Sequence, residues 1–85
     1  MKLKIYAIKD VVVGDHFNPF YLRNDEEAKR SFTNAMQEPG AKNVKDMQLF
    51  RLGEFNTETG ELTASYEFLQ GGAEICSTAK PIDQQ

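Results

Sequence analysis

One cysteine, one histidine, no tryptophan and three prolines are all that this 85-residue chain holds of those types. A lone Cys76 cannot form an internal disulfide, and without a second cysteine or a histidine cluster there is no zinc-ligand set. No metal and no cofactor is expected. Also missing is any apolar run of about 18 residues, the length that a membrane-spanning helix needs. The opening MKLKIYAIKD has basic residues but no apolar stretch followed by a small-residue cleavage site, so it reads as a strand rather than a signal peptide. These absences together predict a soluble protein of a reducing compartment.

The chain has enough apolar material for one modest core and no more. It is 40% hydrophobic with six Phe and three Tyr, and a chain of this length buries only about 60% of its unfolded surface. The net charge of −3 argues against a general nucleic-acid coat. The charge is uneven, however: Lys2, Lys4, Lys9 and Arg23 lie in the first 23 residues, and the stretch from Gly60 is acidic. A local basic face is compatible with an acidic whole.

Lys2 to Lys9 alternates with period two and predicts a strand. Leu3, Ile5 and Ala7 fall on one side of it, Lys2, Lys4, Tyr6 and Ile8 on the other. A loop containing Gly14 and His16 follows, then a short strand over Phe20–Arg23 behind Pro19, a position where a missing N–H is tolerated. Asn24 is placed to cap a helix whose first turn carries Asp25, Glu26 and Glu27, acids that the helix dipole favours. Ala28, Phe32, Ala35 and Met36 form its apolar stripe, Glu26 and Arg30 an i,i+4 pair, and Pro39-Gly40 the stop, so the helix spans about Asp25–Gln37.

Met47–Phe55 and Glu61–Leu69 are β-rich runs joined by NTETG, a turn whose Gly60 supplies positive φ. A register whose paired numbers sum to an even value, or a bulge that restores it, gathers Phe50, Leu52, Leu62, Ala64, Tyr66 and Phe68 on one face. After Gln70 the pattern fails. Residues 70–85 read as a loosely held tail with room for a short edge strand over Ala73–Ser77.

The expected fold is α+β, order ββαββ, with residues 1–69 as a single domain. A four-stranded, largely antiparallel sheet carries one helix on one face. The predicted helix-side core is Leu3, Ile5, Ala28, Phe32, Met36, Phe50, Leu52, Leu62, Ala64 and Phe68.

No catalytic constellation stands out, and the chain is not expected to be an enzyme. His16 lacks a Ser or Cys partner and reads as a surface loop residue. Cys76 has no neighbour that would lower its pKa, and the carboxylates flank turns or cap the helix instead of forming a buried pair. The group that can carry a function is the sheet face expected opposite the helix: Lys2, Lys4 and Tyr6 beside Tyr21, Arg23 and Arg51. Rings interleaved with cations suit single-stranded nucleic acid, since bases stack on the rings and phosphates meet the cations. Two other readings of the same face stand beside it, a merely solvated face and a protein contact. Tyr6, Ile8 and Tyr21 on an uncovered face also predict a homodimer.

Three stretches carry a resemblance: KLKIYAIKD with its glycine-containing loop, NPFYLRNDEEAKRSF, and LFRLGEFNTETGEL. In this combination, over residues 2–69, the chain resembles the small nonstructural protein of gokushoviruses, single-stranded DNA phages of the microvirus group. Asn56 stands where that family commonly has Asp, and either residue suits the turn. The resemblance implies a protein absent from the virion that acts in the host cytoplasm. Its implied task lies in viral DNA synthesis, at the change from duplex replication to single-strand production. The expected partners are single-stranded DNA, on the sheet-face argument, or alternatively a phage replication or capsid protein or a host partner. No binding residues carry over from that family.

Overall fold

The computed structural model describes the backbone of residues 1–79 and the side chains of residues 1–75. Its elements run β1 (Lys2–Asp10), β2 (Asp15–His16), β3 (Phe20–Leu22), α1 (Asp25–Met36), a 3-10 turn (Val44–Asp46), β4 (Met47–Asn56), β5 (Leu62–Gly71) and α2 (Gly72–Ala79). The sheet is antiparallel throughout, in the order β2-β1-β4-β5, and β3 pairs with β1 on the side that β2 also uses. β2 meets Lys9 and Asp10 and β3 meets Lys4 to Tyr6, so the two short strands share one lane. The α+β class and the single main helix are as expected.

Local chemistry accounts for α1. Asn24 has extended backbone angles and its side chain accepts from the Glu27 N–H at 2.9 Å, the bond of an N-cap. Ala28 and Phe32 are buried on the sheet side. The ion pair that forms at i,i+4 is Arg23–Glu27, at 2.8 Å. In the β4–β5 turn, Asn56 Oδ1 accepts from the Glu58 and Thr59 N–H groups at 2.9 and 3.3 Å. Those bonds need only a carboxamide or carboxylate oxygen, which is why Asn and Asp both suit this position.

The core lies on the face opposite to the one expected. Tyr6, Ala28, Phe32, Met47, Leu49 and Ile75 form it, with Ile8, Phe20, Leu22, Met36 and Leu69 packed around them. Ala28, Phe32 and Met36 are placed correctly by the sequence. Leu3, Ile5, Phe50, Leu62, Ala64 and Phe68 instead belong to the far side of the sheet. Both sides of β1 carry apolar residues, so alternation defines two sets without saying which one the helix covers.

Two bulges add to the difference. Phe50 pairs with Phe68 and Arg51 with Glu67, the even register, but Gly53 pairs with Ala64 and Leu49 with Gln70, so the register is odd on either side. β1 shows a matching irregularity between Ile5 and Tyr6. The chain inverts at Leu52-Gly53, and Phe55 thereby joins Leu3 and Leu62 in one row across the sheet. Gly53 is needed here because a Cβ on it would lie 2.2 Å from the Thr63 carbonyl oxygen.

The expected edge strand over Ala73–Ser77 is replaced by α2, and Ile75 of this helix is only 4% exposed in the core. The Gly71 N–H donates to Glu74 Oε1 at 3.2 Å. A Cβ on Gly72 would lie 1.8 Å from the Val44 carbonyl oxygen, so this glycine lets α2 seat against the 3-10 turn. The Cys76 side chain and residues 80–85 of the expected tail lie outside the described residues. Among the described residues no helix is long and apolar enough to cross a membrane.

Candidate functional site

The six residues predicted to share a face are divided between two places, beside a third that the predicted set missed. Tyr6 is fully buried beneath α1, where its hydroxyl donates to Asp25 Oδ1 at 2.7 Å. Burial, and then that bond to a carboxylate, push the phenol well above its ordinary range. Arg51 stands next to Tyr6 across the β1–β4 pair and donates to both Asp25 and Glu67. Burial pushes the Asp25 carboxyl up, but the bonds from Tyr6 and Arg51 outweigh it and hold the group below the usual carboxylate range. The bond to Asp25 holds the Arg51 guanidinium above its ordinary value. Tyr6 offers no ring for a base to stack on, and Arg51 is already engaged by two carboxylates.

Lys2 and Lys4 lie on this same helix-facing side, toward one end. Both approach Glu54, at 4.0 and 3.3 Å. Their expected position opposite the helix is corrected in the same way as Tyr6 and Arg51, by the choice of covered face.

Tyr21 and Arg23 are brought together. Tyr21 is 58% exposed and lines, with Leu3 and Leu22 of the strands and Arg23 of the bend before α1, a groove of about 580 Å³ whose other wall is α1. That wall presents Glu27, Arg30, Ser31 and Asn34. Arg23 donates to Glu27 through its guanidinium at 2.8 Å and its backbone N–H at 3.3 Å, and these bonds hold Glu27 below the ordinary carboxylate range. With two guanidiniums against one carboxylate the groove keeps one net positive charge. Arg30, Ser31 and Asn34 are absent from the predicted set, although the spacing 23, 27, 30 and 34 places them along one flank of the helix. In chemical terms the groove offers an exposed phenol ring, two planar cations and two small hydrogen-bonding side chains.

The third place is the open face of the sheet. Phe50 stacks on Tyr66 at 4.5 Å between centroids, with Phe68 and His16 edge-on to Phe50 at 5.8 and 6.1 Å. His16 Nε2 lies 2.7 Å from the Tyr66 hydroxyl, so the histidine expected in a loop sits on β2 and joins an aromatic cluster. Tyr66 and Phe68 remain 54% and 51% exposed. Tyr21 stands at the border of this face, opposite Ile5. Among the described residues no group of His, Cys, Asp and Glu is arranged to hold a metal ion.

No curated protein and no solved structure matches the chain. The family model described as Phage ORF5 protein matches residues 3–75, and the chain therefore belongs to this family of phage proteins.

Proposed function

We propose that this phage protein is a nonstructural accessory factor of a gokushovirus-type phage. In this reading it works in the host cytoplasm during viral DNA replication or single-strand production, and it contacts single-stranded DNA through the groove between β3 and α1. The observation that carries the reading is Tyr21, exposed beside Arg23 and Arg30 in one groove. A base can stack on the ring while the guanidiniums meet the flanking phosphates. Ser31 and Asn34 add donors suited to phosphate or sugar oxygens. The replication role rests on the sequence resemblance. A groove with one net positive charge implies weak binding that falls with salt.

A second reading, a protein adaptor without DNA affinity, is favoured by the open sheet face, where Leu62, Tyr66 and Phe68 are more than half exposed. Such surfaces mark protein contacts more often than solvated ones. Fluorescence anisotropy on a short oligo-dT separates the two. Binding that Tyr21→Ala and Arg30→Ala both weaken supports the DNA reading, and no binding at low salt leaves the adaptor reading.

A further inference from the structure

The open face of the sheet has the composition of an interior. Its rows run Leu3–Phe55–Leu62, then Ile5–Gly53–Ala64, then Ala7–Phe50–Phe68, with Tyr66 stacked on Phe50. We propose that this face is covered by the same face of a second copy of the chain, giving a twofold sandwich with α1 of each copy on the outside.

Charge selects the occupant. The chain is net −3, but Asp25, Glu54 and Glu67 bond to Tyr6, Lys2, Lys4 and Arg51 on the helix-facing side, and no carboxylate stands in the open-face rows. Two copies can therefore meet here without opposing acids. A strongly charged partner would find almost nothing to pair with, since Lys9, opposite His16 and Gln48 at one end, is the charged residue of those rows. A twofold axis through the centre sets the two Lys9 residues at opposite ends, apart from each other.

Size and shape agree. Four lanes ~4.8 Å apart and about eight residues long give a projected patch of ~500 Å². Side-chain relief brings that toward the ~800 Å² per partner of a standard interface. The chain measures 53 × 25 × 19 Å with a radius of gyration of 14.3 Å, against about 12 Å for a compact domain of this length. The shortest extent, 19 Å, is that of one sheet with one helix on it. β5 is exposed at every residue from Leu62 to Phe68, on both faces, and a second sheet packed ~10 Å away would complete the layer.

This assembly goes beyond the DNA reading. It takes Leu3 from the β3–α1 groove but none of Arg23, Arg30, Ser31 or Asn34, and different assays read the two ideas, so they fail separately. The test is sedimentation equilibrium of the full chain into the high micromolar range. The expected wild-type mass is twice 9.6 kDa. Tyr66→Lys and Phe68→Glu, each placing charge in the centre of the patch, are expected to weaken association about 30-fold or more while far-UV circular dichroism is unchanged. A wild-type mass of 9.6 kDa throughout would overturn the proposal and return the face to a different protein partner. A dimer untouched by either variant would overturn it as well. If the variants fail to fold, wild-type protein mixed from labelled and unlabelled copies decides. Intermolecular proton contacts between the Tyr66 or Phe68 ring and the Ile5 methyls are expected, and their absence would overturn the proposal.

Discussion

The Tyr6 hydroxyl donates a 2.7 Å hydrogen bond to Asp25 Oδ1, which ties the central strand to the first turn of α1 across the buried side of the sheet. The same carboxylate accepts from Arg51 on β4. One acid thus satisfies the polar end of a fully buried tyrosine and neutralises a half-sequestered arginine. Without it, burying both groups would cost several kcal/mol. The helix is consequently held over the Tyr6 side of the sheet, and the Ile5 side is left open.

The pH dependence of stability follows from this cluster. Asp25 has a lowered pKa in the folded protein, so its contribution is complete above its unfolded value near pH 4 and is lost as pH falls through the folded value. Tyr6 has a raised pKa, so its contribution is complete below about pH 10 and is lost as pH rises above that. Asp25→Asn is expected to flatten the acid limb, and Tyr6→Phe the alkaline limb at a cost of about 0.5–1.5 kcal/mol near neutrality. Urea midpoints across pH check both.

Phe32 is 1% exposed at the centre of the core. Phe32→Ala is expected to cost about 3–5 kcal/mol, a large part of the stability of a domain this small. The denaturant midpoint measures it, and a shift near zero would contradict the placement of α1.

Gly72→Ala places a methyl where the Val44 carbonyl oxygen stands 1.8 Å away. Either α2 or the 3-10 turn must move, at about 1–3 kcal/mol. Amide exchange of Ile75 is expected to accelerate more than that of Phe32, because the variant loosens α2 first.

Much of this architecture is legible along the chain wherever its cause is local. Asn24 and the stripe Ala28, Phe32, Met36 define α1, and the NTETG turn defines the hairpin, because caps and turns depend on residues a few positions apart. Which side of the sheet α1 covers depends on Asp25 meeting Tyr6, 19 positions away, and on Arg51. Tyr6 beside Lys2 and Lys4 resembles a wet surface until its hydroxyl is given a partner. α2 escapes notice for a related reason: its deeply buried Ile75 follows two glycines, and Gly72 is a packing requirement that looks like a loop signal. Of the expected binding residues, Tyr21 and Arg23 come together because β3 leads directly into α1. The others separate because Tyr6, Lys4 and Arg51 turn toward the helix.

The groove makes the most direct demand on experiment. Fluorescence anisotropy of a labelled oligo-dT is titrated at several salt concentrations with wild type, Tyr21→Ala, Arg30→Ala and Lys4→Ala. Loss of the Tyr21 ring is expected to cost about 1–3 kcal/mol with little change in salt slope. Loss of Arg30 is expected to lower the slope of log K against log salt by about 0.7. Lys4, which does not line the groove and is paired with Glu54, is expected to change neither, and duplex of the same sequence to bind worse. Binding that Lys4→Ala weakens while Tyr21→Ala and Arg30→Ala do not would contradict the groove, and no binding at low salt would contradict the DNA reading itself.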